Sequence, residues 1–183
     1  MTVYRWVRRF TPLFVEAARP CRHTSGYRWF VDETYVKVSG RVALRYLYRA
    51  VDQFGQVIDV LVSPKRDKKA ARRFFTRALA GATPQAGVTT DRAAAYPRVL
   101  DELLPAAQHI TANYANNRIE ADHSRLKSRL RPMRGVKRDR SLRIVAIGHA
   151  FVQSLRRGRY ELATEVGRRD RLAAAFTALA VAV

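Results

Sequence analysis

Cysteine is nearly absent: Cys21 stands alone in 183 residues, and the four histidines are scattered singly. An internal disulfide is therefore excluded, and no Cys/His spacing fits a zinc finger. Carboxylates are scarce as well, with 15 Asp plus Glu against 35 Lys plus Arg, a formal charge of +20. Long hydrophobic runs are missing too. The longest, LAAAFTALAVAV at the C-terminus, is too short and too rich in alanine to span a bilayer. The N-terminal MTVYRWVRRF lacks the apolar stretch of a secretion signal. Together these absences point to a reducing, cytoplasmic setting and away from membranes. The basic excess, with a pI near 11.3, points to a polyanionic partner and lies in the range of nucleic-acid binders. A ribosome-associated or membrane-surface protein is the blander reading of the same charge.

The length suits one main domain with room for a small appendage, and no internal repeat or low-complexity segment stands out. In residues 2–18, Val3, Trp6, Val7 and Phe10 recur at helical spacing with Arg5, Arg8 and Arg9 between them. Pro12 is expected to end or kink that helix, and PCRHTSG after it reads as a linker. From Tyr27 the pattern turns to β-branched and aromatic runs: YRWFVDETYVKV, VALRYLYRAVD and QVIDVLVS, separated by SGR and QFG turns. DKKAARRFFTRALAG follows as a helix with Asp67 as cap and Gly81 as stop. GVTTD, YPRVLDELL and QHITA read as strand, helix and strand, a spacing that favours a parallel crossover. YANNRIEADHSRLKSRLRPMRG is a helix that Pro132 must end or bend, LRIVAIGHAFVQSLRRGRYEL is another, and the tail from Ala163 is expected to be helical. The order β-β-β-α-β-α-β-α resembles the ribonuclease H-like fold, an α/β architecture with a five-stranded mixed sheet and flanking helices.

Within WFVDETYVKV, alternation places Asp32 on a strand face otherwise made of Phe30, Thr34, Val36 and Val38. An unpaired carboxylate buried there costs several kcal/mol, so Asp32 is expected to pair, to sit at a strand end or to meet a cation. If a parallel fourth strand lies beside the first, Asp91 at the end of GVTTD approaches Asp32, although Asp is also common in such turns. Glu120 fits the fourth place of a capping box begun by Asn117. It also lies on one helix flank with Ser124, Lys127 and Arg131, beside an apolar stripe of Ile119, His123, Leu126 and Leu130. Asp122, near Arg125 and Arg129, reads as a solvated ion pair. Converging carboxylates repel one another unless a cation lies between them, and oxygen donors suit Mg²⁺ or Mn²⁺. Of the remaining residues, His123 reads as a buried histidine of the apolar stripe. Asp52 and Asp59 have turn and edge roles, and Glu33, on the opposite strand face, pairs with Arg or Lys.

These residues fall in blocks. VDETYVK, TTDRAAAY and NNRIEADHSRLK, in that order and with LYRAVDQFGQVIDVLVS between the first two, resemble the DDE (Asp-Asp-Glu) transposases of bacterial insertion sequences, specifically insertion-sequence family six. The likeness covers roughly residues 1–162 and implies a ribonuclease H-like fold. It implies Asp32, Asp91 and Glu120 as the catalytic triad and metal ligands, holding two Mg²⁺ or Mn²⁺ ions. The implied activity is cutting at transposon ends and joining the freed 3′-hydroxyl to target DNA, by a homo-oligomer on paired ends. Lys127 and the basic run carrying Arg129, Arg131, Arg134, Lys137 and Arg138 are expected near the DNA backbone. TVYRWVRRF resembles only the final helix of the family's N-terminal helix-turn-helix. The expected organisation is a helix-turn-helix remnant and linker at 1–26, a catalytic domain at 27–160 and a helical tail at 161–183. The competing reading is a catalytically inactive DNA-binding remnant of a decayed transposase, and a third is a ribonuclease H-like nuclease acting on RNA hybrids.

Overall fold

A computed structural model describes residues 3–38, 43–112, 116–131 and 136–183. Its elements are α1 (Val3–Ala17), β1 (Arg28–Val38), β2 (Ala43–Asp52), β3 (Val57–Ser63), α2 (Lys68–Leu79), β4 (Gly87–Thr89), α3 (Pro97–Leu103), β5 (Gln108–Ile110), α4 (Asn117–Leu130), α5 (Asp139–Arg156) and α6 (Arg171–Ala180). The strands form one sheet in the order β3-β2-β1-β4-β5. β1, β2 and β3 run antiparallel, while β4 is parallel to β1 and β5 is parallel to β4. The mixed five-stranded sheet expected from the order of elements is therefore present.

Local chemistry accounts for several boundaries. Asp67 caps α2 by accepting from the Ala70 backbone N–H at 2.8 Å. At the β2–β3 turn, Gly55 takes a φ of 85°, which a side chain would disfavour. Asp52 closes that turn by accepting from the N–H groups of Phe54 and Gln56 at 2.9 and 2.8 Å, the turn role expected of it. The SGR turn lies outside the described residues, as does Pro132.

Both faces of the sheet are covered. On one, Trp29, Val31, Tyr48 and Leu61 meet Phe74 and Phe75 of α2 and Val99 and Leu100 of α3. On the other, Val36, Leu47, Val51 and Val60 meet Ile119 and Leu126 of α4 and Leu142 and Ala146 of α5. A third apolar cluster joins Ala18 and Phe14 at the end of α1 to Phe151 and Leu155 of α5 and Ala175 and Leu179 of α6. Phe14 and Phe176 meet edge to face with centroids 5.3 Å apart.

Three local expectations are corrected. Pro12 lies inside α1 without ending it, because the helix is clamped along α5, where the Thr11 side chain approaches Gly148 closely. The capping box does not form. Asn116, not Asn117, is the N-cap of α4, and its side-chain amide donates to the Val31 carbonyl of β1 at 3.1 Å. Asp122 is not solvated: it is buried and paired with Arg49 of β2 at 2.6 Å and with Arg157 at 3.1 Å. Helical phase explains the last point, since Asp122 precedes buried Leu126 by one turn and so turns inward.

Candidate active site

β1 is eleven residues long but pairs with β4 only over Arg28–Phe30. Beyond Phe30 that edge of the strand meets the Asn116 amide at the Val31 carbonyl and Val136 at Val38, and both faces of β1 border one notch. β4 runs parallel to β1, so its C-terminal end delivers Asp91 to the same notch. One carboxylate oxygen from each of Asp32, Glu33 and Asp91 lies within 4.8 Å of the others. Asp32 is thus a partly exposed group at a strand edge, its side chain 18% exposed, which removes the cost of burying it among Phe30 and Val36.

Each carboxylate is held. The guanidinium of Arg66, from the loop between β3 and α2, bridges Glu33 and Asp91, meeting the latter at 2.7 Å. Asp91 also accepts from the Ala93 backbone N–H at 3.0 Å, a local turn that fixes its direction. Glu33 accepts from the Tyr96 hydroxyl, and its side chain is 1% exposed. Burial pushes the Glu33 carboxyl up to about 7, with Arg66 opposing and the charges of Asp91 and Asp32 adding to the rise. Behind Asp32 stands His123 of α4, its Nε2 at 3.5 Å and its ring buried. The partner of Asp32 across the antiparallel ladder is Arg49.

Asp32 and Asp91 are brought together, as the spacing of the first and fourth strands implies. Glu120 stands outside that group of three, exposed in the first turn of α4. It follows Asn116 by four residues and precedes His123 by three, and both of those touch β1 at Val31 and Asp32. Among the described residues its side chain has no hydrogen-bond or ion-pair partner. The basic residues divide. Lys127 and Arg131 border a concavity with Tyr35, Arg129 faces the groove between α1 and α5, and Lys137 and Arg138 are exposed just before α5. Arg134 lies outside the described residues.

Reading the sequence assigned Glu33 an Arg or Lys partner, and Arg66 is that partner, but it did not place the carboxylate in the notch. Arg66 and Tyr96 were missed altogether. SPKRD, at the end of β3 where loops from adjacent strands gather, was the available signal for Arg66. The donor set suits a hard divalent cation: three carboxylates within one ion's reach, with no sulfur or imidazole among them. That Arg66 already lies between two of them shows that the cluster draws positive charge.

A family model described as the DDE domain, of the IS240 type of transposase, matches residues 26–159. The chain is 33% identical over 133 residues to the transposase for the insertion sequence-like element IS431mec of Staphylococcus aureus strain Mu50. That match takes in 70% of this chain and 58% of the relative. The same figures hold for the Staphylococcus aureus transposase for IS257 in transposon Tn4003. The chain thus spans a little over half the length of the curated relatives it matches. Among solved structures it is similar to a chain of the simian T-cell lymphotropic virus intasome in complex with PP2A regulatory subunit B56 gamma. The TM-score there is 0.56 at 19% identity, over 70% of this chain and 49% of that one. It is also similar to the HTLV-2 integrase catalytic core domain in complex with magnesium, with a TM-score of 0.52 at 16% identity, over 81% of this chain and 96% of that one. These structural likenesses identify the fold as ribonuclease H-like. With the three sequence blocks, the domain match and the carboxylates that meet from the middle of β1 and just past the end of β4, the chain belongs to the DDE transposases of bacterial insertion sequences, in insertion-sequence family six.

Proposed function

We propose that this chain carries out metal-dependent 3′-end cleavage and strand transfer of an insertion sequence. The observation that carries the reading is the meeting of Asp32 and Asp91, from distant segments, in one oxygen-rich notch. Asp32 and Asp91 hold Mg²⁺ or Mn²⁺ there, and Glu120 completes the site from the first turn of α4. Such ions, when bound, would supply Lewis acidity to an attacking water or 3′-hydroxyl and to the leaving oxygen of the phosphoryl displacement. His123 backs Asp32 and keeps its carboxylate directed into the notch. Lys127, Arg129, Arg131, Arg134, Lys137 and Arg138 neutralise phosphates of transposon-end and target DNA, which adds affinity without reading sequence. The protein works in the cytoplasm as a homo-oligomer on paired ends.

The experiment is cleavage and joining of oligonucleotides carrying the element's ends in Mg²⁺ or Mn²⁺. Asp32→Asn is expected to abolish both steps while leaving the thermal melt in place. Activity undiminished in EDTA, or in Asp32→Asn, would overturn the reading and leave a DNA binder without chemistry.

A further inference from the structure

Past the acid notch, β1 continues to Val38, where Val136 bridges it on the side away from β2, and α4 packs alongside. Between them is a concavity of about 390 Å³ lined by Tyr35, Val36, Lys37, Lys127, Leu130 and Arg131. That volume lies within the range of ligand clefts, about 300–1,000 Å³. Its floor is apolar, with Val36 and Leu130 buried. Its rim holds three cations and no acid, and among the described residues none of the three has an acidic partner. Tyr35 presents its ring to solvent, 57% exposed, and the Lys127 ammonium lies 4.8 Å from the ring centroid.

Exposed Tyr4, Tyr27 and Phe54 also lie under guanidinium groups, those of Arg8, Arg28 and Arg159. Tyr35 is set apart by its place on β1, the strand that carries Asp32 into the acid notch, and by the concavity it shares with α4. A flat π-face set among unneutralised ammonium and guanidinium groups recognises a base attached to a phosphate.

Position gives the ligand its place on a strand. Tyr35 lies three residues beyond Asp32, about 10 Å along a β-strand. Lys127 lies seven residues beyond Glu120, also about 10 Å along a helix and on the same flank. Both elements thus set the concavity about three stacked nucleotide steps, at about 3.4 Å each, from the acids. A base inside a duplex has both faces stacked and cannot offer one to Tyr35, so the occupant is a nucleotide out of the helix.

We propose that this concavity holds one unpaired DNA nucleotide near the reacting phosphate, its base stacked on Tyr35 and its phosphates met by Lys37, Lys127 and Arg131. The proposal rests on the DNA-processing reading above and names where the strand leaves the duplex. A binding measurement without chemistry separates the two. In EDTA, the full chain is titrated with a short blunt DNA duplex and with the same duplex bearing a few unpaired 3′ nucleotides, one of them 2-aminopurine. Tyr35→Ala is expected to weaken binding of the tailed duplex by roughly 5- to 150-fold, to abolish quenching of the 2-aminopurine and to leave blunt-duplex binding unchanged. Tyr35→Phe is expected to behave as the unaltered chain, since the ring and not the hydroxyl does the stacking. If Tyr35→Ala binds both duplexes in the unaltered ratio, the pocket is refuted while the catalytic reading stands. An RNA tail held more tightly than the DNA tail would overturn the assignment to DNA. If cleavage fails but tail recognition persists through Tyr35, the catalytic reading falls and the pocket remains.

Discussion

Protonating His149 would add a positive charge beside a crowded set of guanidinium groups. The ring sits in α5 next to Arg49, Arg157 and Arg129, with Asp122 the nearby counter-charge among the described residues. Burial, reinforced by Arg49, lowers its pKa from 6.5 to about 4. In the unfolded chain the ring protonates near its ordinary value. Between pH 6.5 and 4 the unfolded state therefore binds the extra proton, and stability falls as pH falls through that window, levelling below it. His149→Gln is expected to remove this part of the acid sensitivity, read as a melting temperature that falls less with pH across the same window than that of the unaltered chain. The neighbouring pair of Arg49 and Asp122, 0% and 1% exposed, matters for the same reason. Each charge is tolerable in the interior only because the other is there. Single residues were legible where the local pattern itself was anomalous. Asp32 interrupts an apolar strand face, and Asp91 ends a short strand, so both stood out. Asp122 and Glu33 gave no such sign, because their surroundings are made by Arg49, Arg157, Arg66 and Tyr96, which no periodicity links to them.

Among the elements, α4 carries the most consequence for the site. Its first turn is tied to β1 by the Asn116 amide at the Val31 carbonyl, one residue before Asp32. Removing that amide is expected to cost about 1–2 kcal/mol. Asn116→Ala should also lower cleavage by more than the loss of folded protein explains, because Glu120 sits in the turn that the bond anchors. Urea unfolding and cleavage rates at a temperature where the variant is fully folded are the measurements. The strands and α2 were readable in the sequence because their apolar periods are clean and Asp67 and Gly81 mark the ends of α2. Pro12 does not end α1, because packing on α5 outweighs the missing hydrogen bond, a balance that propensity cannot express. The place of α6 was likewise hidden, since Phe176 and Leu179 find their partners on α1 and α5.

At the scale of the whole molecule, the proposed function together with an excess of twenty positive charges would make association with DNA a matter of counterion release. The logarithm of affinity is expected to fall linearly with the logarithm of salt concentration. Replacing Lys127 and Arg131 together by alanine should make that slope shallower by about 0.9 for each phosphate no longer neutralised, measured on duplex DNA across a salt series. The architecture was legible from the order of elements and the three sequence blocks. The division of charge along α4 was legible as well, since helical phase sets Lys127 and Arg131 on one flank and Arg129 on the other, and the two flanks open onto different grooves.

Arg66 gives the protein a practical independence. Because its fork already joins Glu33 to Asp91, the acids have an internal counter-charge and do not need an external one to coexist. Chelators should therefore leave the fold intact, so that the chain can be purified and stored stripped of divalent ions, and under the proposed function adding them back would start the reaction.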